Sequence, residues 1–231
     1  MEVAFIEWAI LGGTIRMTQN KININKISGF CLIGTGVFAT LGFLIHPHDA
    51  TSQNQVMWMV GHLLIIASLL VNSIGLTGLY FSSSGKLGKL GLIGFLLTSF
   101  SLSLYIGKLY WSGFIYPMVL LEHPEFIETF GFGPGSEPKD LNLKIVFFSG
   151  AFLFVLGHLF LGSALLRAKI FKSTPVWFVI AGAVMVGVWP LLPNIVQMLS
   201  VLVSLVYAIG IVWLGILLIQ SSQEIQKKHY S

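Results

Sequence analysis

Hydrophobic residues along this chain come in six blocks joined by short polar links, with neither strand alternation nor the one-sided helical stripe of a soluble domain. The blocks run Ile27 to Ile45, Val56 to Tyr80, Leu90 to Lys108, Ile145 to Leu166, Val176 to Trp189 and Ile195 to Ile219. All but the fifth approach or exceed the roughly 20 residues that a helix needs to cross hydrocarbon. The fifth ends at Trp189-Pro190 and is expected to start before Thr174 or to cross a thinned region. The blocks are apolar on every face and rich in glycine, as at Gly34, Gly36 and Gly42 or Gly91 and Gly94, which lets helices approach closely in lipid. A membrane barrel would alternate instead. The pattern predicts an all-α fold, a polytopic membrane bundle of six transmembrane helices arranged as two or three hairpin repeats. Residues 1–231 then form one integral membrane domain, with 1–26 cytoplasmic or interfacial and 220–231 a cytoplasmic tail.

Composition agrees with the pattern. The 231 residues are 55% hydrophobic and only 10% charged, and the mean hydropathy is +0.85, too few polar residues to cover a water-soluble surface. Lipid is the expected solvent. The formal net charge of +4 is small and its cations lie in the links, so anionic headgroups, not nucleic acid, are the expected contact.

Those cations also predict orientation. Arg16, Lys21 and Lys26 precede the first block, Lys86 and Lys89 separate the second and third, Arg167, Lys169 and Lys172 separate the fourth and fifth, and Lys227 and Lys228 follow the sixth. Of the 13 basic residues only Lys108, Lys139 and Lys144 fall on the other side. Positive links stay in the cytoplasm, so both termini are expected there, in a bacterial-type inner membrane. Lys108 reads as snorkelling to the outer interface, with the aromatics Tyr110, Trp111 and Tyr116 along the headgroups.

Residues 1–16 hold an apolar stretch, Val3 to Leu11, too short to span and without signal-peptide layout. Gly12-Gly13 can be encoded as GGAGGT, a ribosome-binding sequence suitably placed for initiation at Met17, which is the expected start. The rival expectation is an interfacial anchor with Trp8 at the headgroups.

An internal similarity carries the histidines. His46-Pro47 ends the first block and Gly61-His62-Leu63 lies in the second; His123-Pro124 follows the third and Gly157-His158-Leu159 lies in the fourth. Blocks five and six read as a decayed third copy, with Ile209-Gly210 matching Ile74-Gly75. Tandem hairpins of one orientation imply rotational symmetry about the membrane normal, with His62 and His158 facing a common axis.

Three chemistries are open to these residues. Intramembrane histidines normally face protein and hydrogen-bond a carbonyl or hydroxyl there. His62 and His158 could instead be the axial ligands of a b-type haem, although His62 lies near the outer end of its helix and His158 well inside. His46, His48 and His123, with Asp49, Glu122 and His62, could form an outward-facing copper or zinc site, although their spacing matches no closed zinc motif. Asn72, Ser99, Ser101, Ser103, Ser200 and Ser204 could line a path for a small solute, the alternative to a cofactor protein. A non-catalytic membrane partner or homo-oligomer is the third class.

No Walker, nucleophile-elbow, zincin or dinucleotide motif is present, so no catalytic residue is assigned. Gly131 to Ser136 reads as a flexible turn. The lone Cys31 has no partner for an intrachain disulfide and reads as a small buried hydrophobe.

Overall fold

The structure, a computed structural model, describes residues 2–47, 55–126, 141–188 and 200–230. Its elements are α1 (Glu2–Ile45), α2 (Gln55–Tyr110), a π-helical turn (Trp111–Ile115), α3 (Tyr116–Glu122), α4 (Leu141–Ala168), α5 (Ser173–Val188) and α6 (Ser200–Tyr230). Among the described residues there is no strand.

Among the described residues four apolar stretches are long enough to cross a bilayer, Ile24–Ile45, Gln55–Glu122, Phe148–Ala168 and Val201–Glu224. The second is 68 residues long, which as a straight rod would reach about 100 Å, some three bilayer cores. It does not run straight. Gly88 has φ 59° and ψ −162°, a conformation essentially reserved for glycine, and the chain turns back there. Tyr80 and Phe95, on either side of the break, stack with centroids 4.6 Å apart and 7° between planes. The two arms of α2 therefore lie side by side, as the polar link at Lys86 and Lys89 predicts.

α5 is the short element. Its 16 residues span about 24 Å, less than the hydrocarbon core, and it begins at Ser173. The Trp189 to Asn194 turn lies outside the described residues, as do His48, Asp49 and the Gly131 to Ser136 segment. α1 continues unbroken from Glu2 through the segment set apart as 1–26, and α6 continues through the expected tail to Tyr230.

Among the described residues six helical arms form a closed ring, and close glycine contacts mark the crossings. A Cβ at Gly42 would lie 2.7 Å from Ile65 Cγ1 and 3.1 Å from the Gly61 carbonyl, so α1 and the first arm of α2 nearly touch backbones. Gly94 meets Leu161 and the Gly157 carbonyl in the same way, joining the second arm of α2 to α4. Gly162 meets Ile180, Gly182 meets Tyr207, and Gly36 meets Ala208, which carries the ring through α5 and α6 back to α1. Such contacts supply the van der Waals packing that drives helix association where lipid is as apolar as leucine.

The surface is apolar and the polar residues are inside. Phe30, Phe100 and Phe152 are each at least 60% exposed, whereas Asn72, Ser101 and His158 are at most 1% exposed. That reverses the usual order for a protein in water and suits a multi-pass membrane bundle.

Candidate functional site

His46, His62 and His158 fall into two separate clusters. The first lies where α1 ends beside the start of α2 and the π-helical turn. Its local cause is Pro117. In that turn the Tyr116 N–H bonds the Trp111 carbonyl five residues back. The equivalent donor for the Ser112 carbonyl would be the nitrogen of Pro117, which has no hydrogen. The Trp58 indole supplies it instead, donating Nε1–H to the Ser112 carbonyl at 2.8 Å. Gly113 leaves room for His62, whose Cβ would be 2.6 Å from any Cβ placed there.

His62 is 3% exposed, and both its ring nitrogens are engaged. Nδ1 is 3.0 Å from the Trp58 carbonyl and 3.1 Å from His46 Nε2, and Nε2 is 2.9 Å from Ser112 Oγ. A carbonyl only accepts, so Nδ1 carries the proton and Nε2 accepts from the serine hydroxyl. His46 Nε2 then faces this N–H as a second acceptor. The rings of His46, Trp58 and His62 complete the cluster, with centroid separations of 4.5 to 4.8 Å.

Tyr116 packs into this cluster, 5% exposed and 6.2 Å from Trp58, while Tyr110 is 58% exposed. Only part of the expected headgroup belt therefore faces outward. The π-helical turn adds a residue to the helix and brings Tyr116 and Pro117 inward, while Met118 and Leu121 stay exposed.

The second cluster lies on the bundle axis and is drawn from three helices. His158 of α4 donates Nδ1–H to the Phe154 carbonyl at 2.8 Å, which leaves Nε2 to accept the Tyr207 hydroxyl proton at 2.9 Å. Tyr207 of α6 accepts in turn from Asn72 Nδ2 of α2 at 3.1 Å. The chain of donors is thus fully directed, and it ends at Asn72 Oδ1, which is buried and has no partner among the described residues. Thr98 Oγ1 and the Tyr105 hydroxyl, beside Gly157 and Phe154 respectively, are buried and unpartnered as well.

Sequence similarity pairs His62 with His158, but the two do not meet. His158 stands level with Asn72, ten residues beyond His62 on α2, a rise of about 15 Å. The nitrogens of both rings are already committed to protein partners, so one haem clasped between them does not fit this arrangement. His158 meets Asn72 through Tyr207 on the bundle axis, and His62 does not reach it. The local contacts of the two Gly-His segments do correspond: Gly61 rests on His46 and Gly157 on Thr98, four residues beyond Gly42 and Gly94. In that correspondence Thr98, not His123, is the counterpart of His46.

The outward-facing metal set lies only partly among the described residues. His46 joins His62, His48 lies outside the described residues, and His123 caps α3 in an exposed pair with Glu125 at 3.1 Å. The Glu125 carboxyl is held below the usual carboxylate range by its own backbone N–H and then by His123. Among the described residues no group of three or more His, Cys, Asp or Glu could hold a metal ion.

Of the serines proposed to line a path, Ser101 is buried and donates to the Gly150 carbonyl at 2.7 Å, and Ser204 donates to Val201 of its own helix. Ser103 is exposed and bonds Ser99. Sequence reasoning missed Tyr207, Ser112, Thr98 and Tyr105. Tyr207 had a signal, being the sole tyrosine within the last apolar block. No family model, no curated protein and no solved structure matches this chain.

Proposed function

We propose that this multi-pass membrane protein carries a small hydrogen-bond-donating solute, such as water, ammonia or a short alcohol or amine, through a site on its bundle axis. The observation that carries the reading is the unpartnered Asn72 Oδ1 at the end of the Asn72–Tyr207–His158 chain. Magnitudes separate this from a structural clasp. An interhelical hydrogen bond in a membrane protein contributes about 0.6 kcal/mol on average. A buried polar atom left without a partner costs about 1–3 kcal/mol. Two such bonds beside three orphaned atoms make a poor device for stability alone. They make a good one for holding a donor-bearing guest, because Asn72 Oδ1 accepts and the Thr98 and Tyr105 hydroxyls both accept and donate.

The enclosing residues set the size and charge of that guest. Phe154 packs on both His158 and Tyr207 within an apolar core, which excludes ions by their desolvation cost and favours small neutral donors. His158 is orienting: its Nε2 holds the Tyr207 hydroxyl, and that hydroxyl holds the Asn72 amide with its carbonyl turned free.

The test is solute permeation into proteoliposomes, followed by light scattering with water, glycerol, urea and methylamine. At least one should cross faster than in protein-free vesicles, and Asn72→Leu should remove that excess while the variant remains folded in detergent. Permeation no faster than in empty vesicles, or unaltered by Asn72→Leu, overturns the reading.

A further inference from the structure

The end of the bundle that carries Lys86, Lys89, Arg167, Lys169 and Lys172 contains a cavity of about 510 Å³ between α1, the turn of α2, the link from α4 to α5, and α6. Its walls combine three chemistries. Lys86 and Lys172 bring two cations, and among the described residues neither is ion-paired. Glu224 brings one carboxylate. Ile170, Phe171 and Leu217 bring apolar surface.

A fourth residue points to a ligand. Asn25 lines the cavity and is only 4% exposed. Its Nδ2 donates to Ser221 Oγ at 3.3 Å, and Ser221 donates onward to the Leu218 carbonyl at 2.8 Å, so the amide orientation is set. Its Oδ1 is buried with no partner among the described residues. That oxygen needs a donor, which a bare phosphate dianion does not offer.

We propose that this cavity binds a phosphodiester bearing a terminal ammonium, the headgroup of a phosphatidylethanolamine lipid, with its phosphate toward Lys86 and Lys172 and its ammonium toward Asn25 Oδ1 and Glu224. Basic pockets between membrane helices are suited to lipid headgroups, and the volume is that of a small-ligand site. The mixed charge of the walls matches a zwitterion better than a simple anion. The apolar residues beside the lysines give the acyl chains a route back to hydrocarbon. This site is far from the axial one and independent of it.

Native mass spectrometry of the full-length protein in detergent tests the assignment, with added phosphatidylethanolamine and phosphatidylcholine of identical chains. Phosphatidylethanolamine should be retained as one bound lipid, about tenfold more tightly than phosphatidylcholine, whose quaternary ammonium has no N–H. Lys86→Ala with Lys172→Ala, both at exposed positions, should weaken that retention about tenfold without lowering the melting temperature. Asn25→Leu should abolish the preference between the two lipids. Displacement by millimolar glycerophosphoethanolamine would support the same chemistry from a water-soluble source, and resistance to it supports the lipid. Equal retention of the two lipids, or retention unchanged by the double lysine substitution, overturns the proposal.

Discussion

Trp58 donates its indole N–H to the carbonyl of Ser112 across 2.8 Å, and that carbonyl is available because Pro117, five residues on, has no hydrogen to give it. A proline in one stretch of α2 and α3 thereby fixes where a tryptophan at the other end of α2 must stand. Trp58→Phe keeps most of the apolar volume but leaves the carbonyl unpaired. The expected loss is about 1–3 kcal/mol, read as a lower unfolding midpoint in detergent. Replacing Pro117 by Ala in the Trp58→Phe background should recover part of it by supplying the missing backbone donor.

Tyr207→Phe removes one oxygen and strands two partners, His158 Nε2 and Asn72 Nδ2. A destabilisation of about 1–3 kcal/mol is expected. Combining it with His158→Leu should cost less than the sum of the two single changes, because the double variant no longer strands His158 Nε2 and leaves only Asn72 Nδ2 without its partner. Thermal melts of the four proteins give the cycle, and strict additivity would show that Tyr207 and His158 act independently.

Close approach at Gly94 leaves no room for a side chain between α2 and α4, since a Cβ would meet the backbone of Leu161 and the carbonyl of Gly157. Gly94→Val should therefore separate the helices, at a cost of roughly 1–3 kcal/mol or more, and lower the yield of folded protein. Gly107, which has open space around its Cα, is the matched control: Gly107→Ala should be neutral or slightly stabilising.

The separation of His62 from His158 has a spectroscopic consequence. Protein purified from iron-replete cells should show no Soret band that depends on both residues. A band lost in His62→Ala and in His158→Ala alike would mean that the two rings meet on one haem.

Orientation is testable on the links. Reporter fusions in the link carrying Lys86 and Lys89 should report the cytoplasm, and fusions after Glu122 the opposite compartment, as the distribution of cations predicts. Both fusions in one compartment would contradict the hairpin at Gly88.

The solvent, the helical class and the turn between the two arms of α2 were legible in the chain, because apolar length and link charge are local properties that report directly on transfer into lipid. So was the involvement of His62, His158 and Asn72 in the interior, since polar groups inside apolar blocks must find protein partners. The identity of those partners was not. Tyr207 lies 49 residues from His158 and 135 from Asn72 in sequence, and nothing local to any of them specifies the depth at which three helices cross. That depth is set by where glycines allow backbones to touch, by a hinge at Gly88 and by a π-helical turn before Pro117. Those contacts placed Asn72 on the axis and put His62 against Ser112, a result that only the packing of all the helices together could decide.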